Sequence, residues 1–247
     1  VAVLALGYQG GVGALQTMAR GYGAELAPVY DHLWKLADSD QREWVEKAFK
    51  TNAHRFDDIS REEYIASDLT KMFWRSANPR IVQYWGEVEQ AASRAVESPM
   101  SKVRAGNTAF VVNGSFLWCQ LPSGGVLCFP YPQLKEVELP WGGKKIALTY
   151  MSEDGQSKKW MRFKTYGGSL VENITQAVAR DLLADAMLRL ESAGYPIVAT
   201  VHDEIICERS VGAGSLEEMS AIMCDSPVWA KGLPVKAGGW RGRRYRK

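Results

Sequence analysis

No stretch of the sequence stays apolar over about 18 residues, the length at which a helix becomes a candidate membrane span, and no signal-peptide pattern is present. Nothing in the sequence directs the chain to a membrane. Its cysteines, Cys119, Cys128, Cys207 and Cys224, lack metal-ligand spacing and imply no disulfide framework, so they read as small core residues in a reducing cytoplasm. Histidine is scarce. His32 and His54 fall in surface-helix patterns and leave His202 without a second ligand cluster, which speaks against an unrelated metallohydrolase site. The run Gly10-Gly11-Val12-Gly13 lacks the Lys-Ser/Thr and the strand-turn-helix setting of a phosphate loop. No acidic residue follows Asp225, while Lys231, Lys236, Arg241, Arg243, Arg244, Arg246 and Lys247 accumulate. A basic end of this kind suits either a solubilising tail or a clamp on nucleic-acid phosphates.

The residues that are present suffice for a folded body. With 46% hydrophobic and 23% charged residues and a net charge of +2, the 247 residues allow a sizeable core and one or two domains. The pattern changes near Pro99 from helical to strand-like. Before it, helices are expected over residues 25–37, 40–52, 60–76 and 79–97. Ser60-Arg-Glu-Glu63 reads as a capping box, and Asn78 before Pro79 as an N-cap followed by an N1 proline. From Val103 to Lys164, apolar and polar residues alternate between turn signals, as in an antiparallel meander. The turns are expected at Asn113-Gly114, as type I′, at Trp141-Gly142-Gly143 and at Glu153-Asp154-Gly155. A long helix follows from Gly167 to about Ala193, with Val171, Ile174, Val178, Leu182, Met187 and Leu190 near helical spacing and Gly194 as its stop. Glu172, Gln176 and Arg180 form a polar ridge on its other face, either a solvated surface or a contact surface. These elements predict an α+β fold.

The segment Ala199-Thr-Val-His-Asp-Glu-Ile-Ile206 sets His202, Asp203 and Glu204 consecutively into an apolar strand pattern flanked by Ile197, Val198, Val201, Ile205 and Ile206. Such flanks predict a strand half or wholly buried, in which carboxylates are costly unless paired or holding a metal. A tight turn between two short strands, over about 197–208, would lift the trio to the rim of a sheet, where a cation can meet it. A hairpin tip with solvated charges fits the same pattern.

The order of long helix, Gly-Tyr-Pro break and strand bearing Val-His-Asp-Glu resembles the end of family A DNA polymerases. Residues 1–20 are similar to the C-terminal part of that family's fingers helix, with Tyr8 at its tyrosine, and Leu233-Pro-Val-Lys-Ala-Gly-Gly-Trp240 is similar to its final strand. Tyr-Gly-Gly before the helix and the Arg-rich end look most like bacteriophage or prophage members. The resemblance implies helical fingers over 1–98 and the C-terminal part of a palm over 99–247, the palm combining an antiparallel sheet with the long packing helix. It implies template-dependent nucleotidyl transfer from dNTP to a primer 3′ end by two Mg²⁺ ions, or Mn²⁺, in the cytoplasm of a bacterial host near the nucleoid. Asp203 matches a metal ligand, Glu204 its weaker neighbour and His202 a residue near the primer end. Tyr8, with Leu4 and Gly7 on the same segment, matches the surface for the nascent base pair, and Leu4 stands where relatives carry a Phe or Tyr that influences sugar selection. Gln176 matches the minor-groove glutamine; Arg180 lies one turn on, and Arg243 and Arg244 belong to the basic end as further candidate DNA contacts. The family's Asp-Gly-Arg or Ser-Gly-Arg turn corresponds to Ser123-Gly124-Gly125, without the arginine. The family's first metal-binding aspartate, its triphosphate-gripping Arg and Lys, and its thumb have no counterpart in the 247 residues. An N-terminal portion, on the same or a separate polypeptide, is therefore an expected partner beside primer-template DNA and dNTP. The alternative is a non-catalytic protein of this fold that binds DNA or a replication partner.

Overall fold

A computed structural model describes residues 1–56, 58–138 and 142–245. Trp141 of the expected Trp-Gly-Gly turn, and Arg246 and Lys247 of the basic end, lie outside the described residues. The fold is α+β, with helices before and after antiparallel sheets. Two compact units divide the chain: Val1–Cys119 with Cys128–Asn173, and Gln120–Leu127 with Ile174–Lys247.

In the first unit, α1 (Ala2–Leu6) and α2 (Val12–Gly21) precede a 3-10 turn at Ala27–Val29 and α3 (Tyr30–Leu36). The single helix expected over 25–37 is thus broken, because Pro28 has no N–H to continue a helical ladder. Helix α4 (Ser39–Asn52) starts with a reciprocal capping box between Asp38 and Gln41, a local signal not among those named above. Helix α5 (Arg61–Ala77) is capped by Ser60 Oγ, which accepts the Glu63 N–H at 3.1 Å. Asn78 does not cap α6 (Pro79–Glu97) with its side chain; its Nδ2 donates back to the Trp74 carbonyl at 2.8 Å. Helices α4 and α5 bury Val45, Tyr64, Ile65 and Leu69 as one apolar cluster, with Phe49 and Phe56 against the Tyr64 ring.

Strands β1 (Val103–Ala105), β2 (Thr108–Asn113), β3 (Phe116–Gln120) and β4 (Val126–Pro130) form a sheet in that order, with β1 and β2 packed on α6. Gly114 (φ +59°) and Ser115 make the β2–β3 turn, one residue later than expected, because Asn113 completes the strand. A second sheet orders β5 (Gln133–Glu138), β6 (Lys144–Glu153) and β7 (Trp160–Lys164). The Asp154 turn before β7 is closed by Ser157, whose side chain and N–H both donate to the Asp154 carboxylate, the N–H at 2.7 Å, and hold that carboxyl below its ordinary pKa.

Helix α7 (Gly167–Ser192) continues into the second unit and ends as its glycine requires. Gly194 sits at φ +77°, its N–H donates to the Glu191 carbonyl, and the Tyr195 N–H reaches back to the Leu190 carbonyl at 2.9 Å. In that unit β8 (Ile197–Val201) and β9 (Glu204–Cys207) form a two-stranded sheet, followed by α8 (Leu216–Cys224). Leu190, Ala186, Tyr195 and Ile205 make the core, with Met219, Ile222 and Met223 of α8 against it.

Two expectations fail here. The strand β8 is not buried: Val198, Ala199 and Thr200 are exposed, since one face of the hairpin meets α7 and α8 and no further strand pairs with it among the described residues. Residues 233–240 form no strand, and Pro234 within them lacks the N–H a ladder needs. Of the cysteines, Cys119 alone is fully buried, while Cys128 on β4 is exposed.

Candidate catalytic hairpin and nucleic-acid interface

In the β8–β9 hairpin Val201 pairs with Glu204, so His202 and Asp203 are the two residues of the turn. A two-residue hairpin favours positive φ at its first position because that matches the right-handed strand twist, and glycine usually supplies it. Here His202 adopts φ +54°, at a cost on the order of 1 kcal/mol for a side chain with a Cβ. The register shifts between Ile197 and Ala199, at the end of the hairpin away from the turn.

The turn places His202, Asp203 and Glu204 in solvent, so their charges need no burial. Asp203 has no hydrogen bond or ion pair among the described residues, whereas Glu204 Oε2 accepts the Tyr245 hydroxyl at 3.1 Å. That bond raises the Tyr245 pKa, because deprotonation would set a phenolate beside a carboxylate. Among the described residues no three His, Cys, Asp or Glu side chains gather closely enough to hold a metal ion. Asp203 and Glu204 are exposed carboxylates, the hard-oxygen type that divalent cations prefer.

On α7, Gln176 and Arg180 are both exposed one turn apart. The next residue, Asp181, accepts a hydrogen bond from Ser123 Oγ. Ser123 Oγ in turn accepts the Gly125 N–H at 3.2 Å, and Gly124 turns the chain at φ +91°. The Ser-Gly-Gly tip without its arginine is thus fastened to the residue that follows Arg180. No spacing or motif signals this contact. Arg243 and Arg244 are exposed.

In the first unit, Leu4 is 51% exposed on α1, and its neighbours Ala5 and Leu6 face a cluster with Leu15, Met18 and Trp74. Tyr8, half-buried, lies in the turn after α1. That turn is clamped from several sides. Trp85 Nε1 donates to the Gly7 carbonyl at 2.9 Å, and Arg75 Nη2 donates to the carbonyls of Gln9 and Gly10 at 3.3 and 3.0 Å while its guanidinium lies 5.7 Å from the Trp85 ring. Gln9 Oε1 accepts the Gly168 N–H at 3.0 Å, and Glu89 Oε2 the Gly167 N–H at 2.9 Å, so both side chains serve the open first turn of α7. A Cβ on Gly168 would stand 2.2 Å from the Tyr8 carbonyl oxygen, and one on Gly167 2.0 Å from that of Trp85. Gly10 is likewise fixed by the Ala5 carbonyl oxygen, from which an added Cβ would stand 1.9 Å, and this gives the glycine run a packing role. Arg75, Gln9 and Trp85 were not singled out from the sequence for this role; the one hint it holds is Tyr-Gly-Gly at a helix start, where Ser or Asp is the ordinary cap.

What the chain is similar to bears on this geometry. A DNA polymerase of Bacillus phage SP02 is 40% identical to it over 249 residues, which take in 100% of this chain and 32% of that protein. The chain thus spans about a third of the length of the curated relative it matches. No family model matches the chain, and no solved structure does. No helix among the described residues is long and apolar enough to cross a membrane.

Proposed function

We propose that the chain is the C-terminal, fingers-and-palm portion of a phage DNA polymerase of family A, transferring nucleotides from dNTP to a primer 3′ end at a two-metal site completed by an upstream portion. The observation that carries this reading is the similarity to the phage SP02 DNA polymerase along the chain's whole length. The exposed carboxylates of Asp203 in the turn and Glu204 at the start of β9 support it chemically.

Divalent cations such as Mg²⁺, with Mn²⁺ as a substitute, would when bound lower the pKa of the primer hydroxyl and neutralise charge on the pyrophosphate leaving group. Asp203, uncommitted among the described residues, would be the principal ligand from this chain, with Glu204 the lesser one. His202, on the same turn, would face the primer end. Tyr8 offers a flat, stiff ring to the nascent base pair, with Leu4 and Gly7 on the same segment, and the clamp around residues 7–10 keeps that ring from drifting. Gln176 offers a hydrogen-bonding side chain to the minor groove, where acceptors are alike for every base pair, so that pair shape can be checked without reading sequence. Arg180, Arg243 and Arg244 offer charge to phosphates.

The upstream portion would bring the other catalytic aspartate, the groups that grip the triphosphate and the thumb. Primer extension tests this. The 247-residue chain by itself is expected to extend no primer, and joining it to the upstream portion to restore synthesis. In the joined enzyme Asp203→Asn keeps size and removes charge, so turnover should fall by roughly two to three orders of magnitude or more, with little change in DNA affinity. Glu204→Gln should cost less. Near-normal turnover in Asp203→Asn would end the metal-ligand assignment, and a joined protein that binds DNA without extending it would favour the non-catalytic reading.

A further inference from the structure

Residues 233–245 contain no helix or strand, yet they are tied down at intervals along the second unit. The Ala237 N–H donates to Cys224 Sγ at 3.1 Å. Gly239 packs so closely that a Cβ would stand 3.0 Å from Leu216 Cδ1. Arg241 Nη1 donates to the Gly214 carbonyl at 3.4 Å. Gly242 lies against the Trp240 ring, 2.7 Å from Cζ3 for an added Cβ, and the Trp240 and Tyr245 rings stand 6.3 Å apart at 33°. At the end of this series Tyr245 Oη donates to Glu204 Oε2.

We infer that Tyr245 is a positioning residue for the Glu204 carboxylate, brought to it by a C-terminal strap anchored at Cys224, Leu216 and Gly214. The inference rests on the polymerase reading of the hairpin. An exposed glutamate samples several rotamers, and holding one costs side-chain entropy. A phenol donating to Oε2 from a ring supported by Trp240 meets part of that cost before any ligand arrives, and it leaves Oε1 open. Groups that orient a ligating carboxylate through its second oxygen influence affinity for the ion without touching it.

The test uses the joined polymerase carrying Tyr245→Phe, which keeps the ring and removes only the hydroxyl. Two quantities are read: the Mg²⁺ concentration at half-maximal turnover, and Mn²⁺ binding to the polymerase–primer-template complex without dNTP, by electron paramagnetic resonance. We expect the Mg²⁺ requirement to rise about tenfold and Mn²⁺ binding to weaken similarly, with KM for dNTP and DNA affinity unchanged. Trp240→Leu should act in the same direction and less strongly. The Tyr245→Phe change should add nothing once Glu204→Gln is present, since the two residues act through one bond. Unchanged Mg²⁺ requirement and Mn²⁺ binding in Tyr245→Phe, beside an inactive Asp203→Asn, would overturn the role of Tyr245. An active Asp203→Asn would overturn the polymerase reading instead.

Discussion

At the scale of single residues, two glycines in this chain invite opposite substitutions. Gly168 approaches the Tyr8 carbonyl so closely that a methyl group would stand 2.2 Å from it, and a backbone oxygen cannot swing aside as a side chain can. Gly168→Ala should destabilise the chain by about 1–3 kcal/mol, the usual cost of overpacking. Gly86, exposed inside α6 with nothing within 4 Å of an added Cβ, should do the reverse, gaining about 0.5–1 kcal/mol as alanine. Urea unfolding of both variants checks the pair, and a Gly168→Ala midpoint at or above the parent's would refute the close approach. The thiols make a second contrast. Burial pushes Cys119 up to about 12, leaving almost no thiolate at neutral pH, whereas Cys128 is exposed, its own pKa also raised. Iodoacetamide under native conditions should label Cys128 well before Cys119, as mass spectrometry can resolve; equal labelling would show the sheet of β3 opening. Neither contrast is readable in the sequence, where all the cysteines look alike and Gly168 is one glycine among many.

At the scale of elements, legibility follows the range of the interactions. The expected bounds of α4 to α7 agree with the observed ones within one or two residues because their starts and stops are local: a serine accepting an N–H three residues on, a proline in the first turn, a glycine with φ +77° after the last. The Asn78 side chain bonds backward instead of forward, a choice between two local partners that the sequence does not rank. The exposure of β8 depends on which strands stand beside it, so periodicity over Ile197 to Ile206 misjudges it. The Ser123–Asp181 bond joins residues far apart in sequence and is invisible there for that reason. It also yields a prediction: Ser123→Ala and Asp181→Ala should each destabilise the hairpin tip, with a coupling of about 1 kcal/mol in a double-mutant cycle. Additive effects would mean that the contact contributes nothing in solution.

At the scale of the whole molecule, the candidate site is legible as chemistry and not as geometry. Asp203 and Glu204 stand out because carboxylates interrupt an apolar strand; that Tyr245 reaches Glu204 does not follow from any spacing. The basic end shows why the distinction matters. Removing residues 243–247 would discard Tyr245 together with the cations, so the two contributions have to be separated by Arg243→Ala with Arg244→Ala. In the joined polymerase we expect that pair to weaken DNA binding similarly for all sequences and to flatten its salt dependence by up to about 0.9 in log–log slope per lost phosphate contact. An unchanged slope would show these arginines to be bystanders, and a raised Mg²⁺ requirement in the same variant would show that they steady the strap.

The paired glycines at the start of α7 also have a genetic consequence. Every missense change at either codon adds at least a Cβ, and at Gly167 and Gly168 that atom falls within 2.2 Å of a backbone oxygen. Missense changes at the two codons should therefore lower stability, and random mutagenesis screened for well-folded protein should recover changes there mainly at the silent third base.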